Sequence, residues 1–266
     1  MKIAAIQHDI IWEEPAATRE RVTPMIAAAA AGGARIIALT EMYATGFSMR
    51  PEHIAEDEGG PNEQFLCEQA KTHDTCLIAS IAQRGVDGRY RNNAVVANPD
   101  GSVHRYAKIH PFSYANEHEH YAAGDRHLTV DVDGLRVTVF VCYDLRFADE
   151  FWVRAADTDL YVVVANWPEA RREHWRTLLR ARAIENQAYV LGVNRVGSAQ
   201  NLDYLGDSAV IDPLGRALVE ASVVEAVVTA EVTAAIVGHT RSTLPFLVDR
   251  RSFLGGQHDT RPSRAY

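Results

Sequence analysis

Three residues of this chain close an apolar run with a group able to act as nucleophile, base or cation. Cys142 ends Val137-Thr138-Val139-Phe140-Val141 and precedes Tyr143-Asp144-Leu145-Arg146-Phe147. A thiol at a strand-to-turn junction projects from a sheet edge, and the next backbone N–H, that of Tyr143, is then free to hold an oxyanion. The competing reading is a buried structural cysteine, and it is the one that suits Cys67 and Cys76, which have no polar company. Glu41 follows Ala34-Arg35-Ile36-Ile37-Ala38-Leu39-Thr40 and leads into Met42-Tyr43-Ala44-Thr45-Gly46. A carboxylate partly withdrawn from water has a raised pKa, which suits a general base near neutrality; a solvated strand-end acid is the plainer alternative. Lys108 closes Val103-His104-Arg105-Tyr106-Ala107 before Ile109-His110-Pro111-Phe112. An ammonium there would favour a thiolate and then hold a developing oxyanion, unless it is a surface lysine. Taken together, thiol, carboxyl and amine at three strand ends point to acyl transfer through a covalent intermediate.

Delivering those groups to one place requires a sheet. Short runs rich in Val, Ile, Leu and Ala predict strands over 2–7, 35–40, 76–83, 94–98, 103–108, 128–132, 136–142, 160–165, 189–196, 208–212, 217–221 and 226–232. Most lack clean alternation, as expected of strands buried on both faces. Helices are predicted from Pro15 to Gly32-Gly33, where proline opens and glycine closes a helix, and over 61–73, 148–156 and 171–188. In the last of these, Trp175, Leu178, Ala181, Ile184 and Ala188 recur every three or four residues, predicting a buried stripe. Asp87-Gly88, Asp100-Gly101, Asp133-Gly134 and Pro213-Leu214-Gly215 mark hairpins. The pattern implies an α/β fold with a mixed sheet, or two stacked sheets, flanked by helices. With no linker or repeat in view, residues 1–266 are expected to form one domain.

Composition narrows the function. The 266 residues are 47% hydrophobic and 23% charged, ordinary for a globular chain. Three cysteines cannot all pair, which suits a reducing compartment, and the short apolar start 3–6 is no signal peptide. No run approaches the ~18–20 apolar residues of a membrane span, so a cytoplasmic protein without a membrane partner is expected. The net charge of −8 argues against nucleic acid. The one basic cluster, Arg171, Arg172, Arg176, Arg180 and Arg182, reads as a solvated or salt-bridged helix face.

The three residues and their surroundings resemble the nitrilase superfamily of carbon–nitrogen hydrolases, which carries a Glu, Lys and Cys in that chain order. The matching segments are Leu39-Thr40-Glu41, Tyr106-Ala107-Lys108-Ile109-His110 and Val141-Cys142-Tyr143-Asp144-Leu145-Arg146-Phe147, with Asn166-Trp167-Pro168 and Tyr204-Leu205-Gly206-Asp207-Ser208 beyond them. The resemblance implies a four-layer α-β-β-α sandwich, paired into homodimers, that hydrolyses a small amide without cofactor or metal. It also implies that Cys142 attacks the amide carbon, that Glu41 shuttles protons, and that Lys108 holds the oxyanion. A second glutamate is expected beside the lysine, Glu117 by its distance to Gly124, with Glu119 as the alternative. The subgroup it looks most like is the ω-amidase group, acting on 2-oxo acid monoamides such as 2-oxoglutaramate or 2-oxosuccinamate, through Asn116-Glu117-His118-Glu119-His120-Tyr121 and Leu244-Pro245-Phe246-Leu247; Pro111 departs from the leucine common there. Tyr143 and Trp167 are expected to contact the substrate, and Arg146, Arg250 or Arg251 to hold a substrate carboxylate bidentately. His118 and His120, one face of a strand if a strand forms there, with His110 nearby, allow a zinc reading, but a polar loop explains them without a third strong ligand. Rival functions are a deaminated-glutathione amidase or carbamoyl-amide hydrolase on the same three residues, and a non-catalytic binding scaffold.

Overall fold

The computed structural model describes residues 1–251. Two mixed sheets lie face to face. The first runs in the order Ala226–Glu231, Lys2–Gln7, Ala34–Ala38, Cys76–Arg84, Tyr90–Ala97, Val103–Ala107, with Glu56–Asp57 alongside Cys76–Arg84. The second runs Ala217–Glu220, Ala209–Ile211, Tyr189–Asn194, Leu160–Ala165, Leu135–Val141, Thr129–Val132. In each sheet the three central strands are parallel.

The period of two along a strand sorts the layers. In the first sheet Ile3, Ala5, Ile36, Ala38, Ile78, Ala94 and Val96 pack into one core with the second sheet. Their alternates Ala4, Ile6, Ile37, Leu77, Ala79, Val95 and Ala97 pack with Val22, Ile26, Leu66 and Ala70, from helices Pro15–Ala31 and Pro61–His73. The second sheet is covered on its other side by Phe151, Trp175, Leu179 and Ala183, from helices Ala148–Arg154 and Arg172–Asn186. The result is the four-layer α-β-β-α sandwich. Both faces of both sheets are apolar, which is why the strand runs read as continuous rather than alternating.

Three expectations change. The buried face of Arg172–Asn186 is Trp175, Leu179, Arg182, Ala183 and Asn186, whereas Ile184 is 53% exposed. The spacing of four from Trp175 to Leu179 to Ala183 sets the phase, and Ala188 already lies beyond the helix. The expected strand 189–196 breaks at buried Arg195 into Tyr189–Asn194 and Val196–Ala199. The second piece pairs with Leu202–Leu205 in a hairpin that the sequence reading does not contain. Finally, residues 117–120 form a single helical turn, so His118 and His120 do not share a strand face. Among the described residues, no group of three His, Cys, Asp or Glu side chains is placed to hold a metal, and no helix is long and apolar enough to cross a membrane.

Candidate active site

The site forms where strand carboxyl ends from both sheets meet, as is usual in α/β architectures. Ala34–Ala38 and Cys76–Arg84 are parallel. Two antiparallel steps, through Tyr90–Ala97, restore that direction in Val103–Ala107. Glu41 and Lys108, just past two of these strands, therefore emerge on the same side, as does Asn92 near the start of the intervening strand. Backbone bonds fix each position. Tyr43 N–H donates to Ser80 O at 3.0 Å, and Lys108 N–H to Asn92 O at 2.9 Å. Gly124 N–H donates to Lys108 O at 2.8 Å. A Cβ on Gly124 would lie 2.2 Å from Ala107 O, so only glycine lets this segment approach the lysine strand.

Cys142 follows strand Leu135–Val141 with φ +45° and begins a 3₁₀ turn, Cys142–Arg146. That left-handed backbone costs of order 1–3 kcal/mol and is held by its surroundings. Asp144, fully buried, does most of the holding. Its carboxylate accepts from Val141 N–H (3.0 Å), the Tyr106 hydroxyl (2.9 Å) and His110 N–H (2.9 Å). One side chain thus ties the thiol's turn to the strand bearing Lys108. In the first turn of such a helix the Tyr143 N–H has no intrahelical acceptor.

Lys108 Nζ donates to Glu41 Oε1 at 2.9 Å and to Glu117 Oε2 at 2.8 Å, and all three residues are buried. Asn92 Nδ2 bridges the same two carboxylates at 2.8 and 3.1 Å. Glu117 also accepts from Phe112 N–H at 2.5 Å. Glu41 accepts from Asn166 N–H at 2.9 Å, and its own carbonyl takes the Asn166 amide at 2.6 Å. The Cys142 sulfur lies 3.9 Å from Asn166 O. Carboxyl, amine and sulfur thus gather around Asn166.

Two carboxylates against one ammonium leave an excess negative charge if both are ionised. Burial pulls the Lys108 ammonium down, but Glu117 and Glu41 outweigh it and hold the group above the ordinary lysine range. Burial pushes Glu117 up, with Lys108 pulling the other way. Burial also pushes the Cys142 thiol well up, and the Glu41 charge adds to that more than Lys108 subtracts. Lys108 does pull the thiol toward its ionised form, as expected, but burial first and the Glu41 charge second outweigh it. A thiol pushed up in this way favours its protonated form, and Glu41 is the carboxylate placed beside Lys108 and Asn166 next to it.

Cys142 opens onto a cavity lined by Phe47, Phe112, Tyr143, Arg146, Trp167, Arg171 and Tyr204, among others. Of the residues singled out by sequence, Tyr143, Trp167 and Arg146 reach it. Glu117 joins Lys108, whereas Glu119 is exposed. Arg250 is not brought to the cavity: its guanidinium lies over the Trp152 ring at 4.3 Å, held on the helix Ala148–Arg154. Arg251 is exposed. Sequence reasoning passed over Asn92 and Asn166 as site residues, Arg171 as more than a helix-face charge, and the wall formed by Leu202 and Tyr204 on the unforeseen hairpin.

Fold and site together define a hydrolase of carbon–nitrogen bonds in amides. The chain belongs to the carbon-nitrogen hydrolase family, whose profile matches residues 2–242. Omega-amidase YafV of Yersinia enterocolitica is 39% identical over 223 residues, covering 83% of this chain and 85% of that protein. The 2-oxoglutaramate amidase of Bacillus subtilis is 32% identical over 224 residues, 82% of this chain and 85% of its own length. Among solved structures, a CN-hydrolase superfamily protein from Xanthomonas campestris with an arsenic adduct in its active site superposes with a TM-score of 0.90 at 38% identity, covering 96% of this chain and 99% of that one.

Proposed function

We propose that this chain is a cytoplasmic, cysteine-dependent ω-amidase that releases ammonia from a small carboxylate-bearing amide such as 2-oxoglutaramate or 2-oxosuccinamate. The observation that carries this is the ammonium of Lys108 locked between Glu41 and Glu117 beside the Cys142 thiol. The similarity to an omega-amidase and a 2-oxoglutaramate amidase supports the substrate class.

In this reading Glu41 takes the thiol proton as Cys142 Sγ bonds to the amide carbon. The oxygen becomes an oxyanion held by Lys108 Nζ and Tyr143 N–H; losing one such donor typically costs ~10²–10³ in rate. Glu41 passes its proton to the amide nitrogen, the carbon–nitrogen bond breaks, and ammonia leaves a thioester. Glu41 then deprotonates a water that attacks the thioester, and the sulfur leaves as a thiol with that proton. Glu117 moves no proton; it keeps Lys108 charged and aimed. We take residues 1–266 as one catalytic domain acting in a homodimer, a pairing supported by exposed Ile184, Leu214 and Leu218 near helix Arg172–Asn186.

The test is ammonia release from a panel of 2-oxoglutaramate, succinamate, deaminated glutathione and carbamoyl amides. The ω-amides should be the best substrates, and Cys142→Ala should abolish turnover at unchanged Tm. Turnover that survives Cys142→Ala, or a panel left wholly intact by the wild type, would refute the proposal.

A further inference from the structure

We propose that Arg171 and Arg146 form a two-guanidinium clamp that selects amides carrying a carboxylate; the inference deepens the ω-amidase reading and rests on it for the reacting end of the substrate. The first observation is a contrast along one segment. Arg172 pairs with Asp207 at 2.6 Å, Arg176 with Glu173 at 3.4 Å, Arg180 with Glu220 at 2.5 Å, and Arg182 with Glu185 at 2.8 Å. Among the described residues, no carboxylate lies within ion-pair distance of Arg171 or Arg146, though both line the cavity that holds Cys142. Two half-buried guanidiniums left without counter-ions in a cavity are an anion site in waiting.

The second observation is how they are held. Arg171 sits over the Phe112 ring at 5.4 Å, and Arg146 over Trp167 at 4.8 Å and Tyr143 at 6.0 Å. A guanidinium stacked by its face keeps its N–H edge free for planar, bidentate contact with a carboxylate. The supports are themselves linked. Trp167 Nε1 donates to Arg171 O at 2.8 Å, and Phe112 packs on Tyr143 at 4.8 Å. Arg146 Nη2 also meets His174 Nδ1 at 3.1 Å, which fixes one end of its fork.

The third is charge balance. The Lys108 cluster has two carboxylates for one ammonium, so it offers an anionic substrate no net attraction, and repels it when both carboxylates are ionised. Two arginine charges on the same cavity reverse that for the molecule as a whole and orient it, carboxylate to the arginines and neutral amide to the thiol. A 2-oxo acid adds a third acceptor in the plane of its carboxylate, enough to engage both forks.

The experiment compares succinamate with butyramide, which replaces the carboxylate by a methyl group, in the wild type, Arg171→Met, Arg146→Met and Arg171→Lys. Each methionine variant should lose about 10–100-fold in kcat/KM on succinamate, mostly through KM, the worth of one charge-assisted contact. The loss on butyramide should be at least about fivefold smaller than that on succinamate in each variant, and Arg171→Lys should recover part of the succinamate loss, since charge without the fork gives up bidentate contact. Equal losses on both amides, or no loss on succinamate, would overturn the clamp. Succinate binding by calorimetry reads the clamp without catalysis. Arginine-dependent succinate binding in an enzyme that cleaves no amide would keep the clamp and discard the amidase. Succinamate turnover indifferent to Arg171 and Arg146 would do the reverse.

Discussion

Two regions, the floor (the buried Lys108–Glu41–Glu117 cluster) and the mouth (the arginine-bearing wall of the cavity that Cys142 lines), satisfy their charges in different ways. At the floor, Lys108, Glu41 and Glu117 are buried, and each bonds to another of the set, to Asn92 or to a backbone N–H. At the mouth, Arg146 and Arg171 are half-buried and rest on aromatic faces, with no carboxylate in reach among the described residues. A buried charged network tolerates little alteration, because removing one member leaves another unpaired in a low dielectric. Stacked, partly solvated groups can be exchanged at modest cost. On the proposed function and clamp, the difference makes reaction chemistry and substrate choice separable: the floor would set what bond breaks, and the mouth whose.

The largest test of that separation is at the floor. Glu41→Gln removes the base while keeping the shape, and should lower kcat by about 10³-fold or more on every amide, charged or neutral, within the range of general-base losses. Glu117→Gln should cost about 10²-fold, again regardless of substrate, because Lys108 loses half its neutralising charge. A floor variant whose loss depends on the substrate carboxylate would break the division.

Next in size is the pH dependence of the thiol. Since burial and the Glu41 charge raise the Cys142 pKa, the thiolate fraction is small near neutrality and grows with pH. Iodoacetamide labelling of Cys142 in the wild type, read by intact mass, should climb about tenfold per pH unit up to pH ~9, in step with the thiolate. A plateau below pH 8 would mean that Lys108 does stabilise a resting thiolate, as the sequence alone suggested.

That suggestion shows where the sequence was legible. Glu41, Lys108 and Cys142 stood out because each is an ionisable group closing a strand-like run, and strand ends meet in space even when they lie far apart in sequence. The sandwich was legible for the same reason: continuous apolar runs demand two covered faces. What the sequence hid was partnership. The resemblance places a second glutamate beside Lys108, but nothing in the order of residues says how deeply the thiol is buried or that the Glu41 charge outweighs Lys108 at the sulfur. Asn92 and Asn166 look like ordinary polar interruptions until the strands around them are placed. Arg250 and Arg171 are indistinguishable as text, yet one lies over Trp152 and the other lines the cavity. The hairpin of Val196–Ala199 and Leu202–Leu205 escaped because its turn, Gln200-Asn201, takes φ +51° and +60° without a glycine to announce it.

That hairpin supplies the smallest and most selective test. Leu202 lines the cavity but is 42% exposed, so Leu202→Ala removes little buried area and should cost no more than about 0.5 kcal/mol in stability. Its contact with the acyl chain is apolar and indifferent to charge. KM should therefore rise about two- to fivefold on succinamate and butyramide alike, as for a few methylenes lost from a pocket, with kcat unchanged. Where Arg171→Met splits the two substrates, Leu202→Ala should move them together. A fall in kcat beyond about tenfold would place the hairpin in the chemistry rather than at the mouth, because uniform binding changes KM alone.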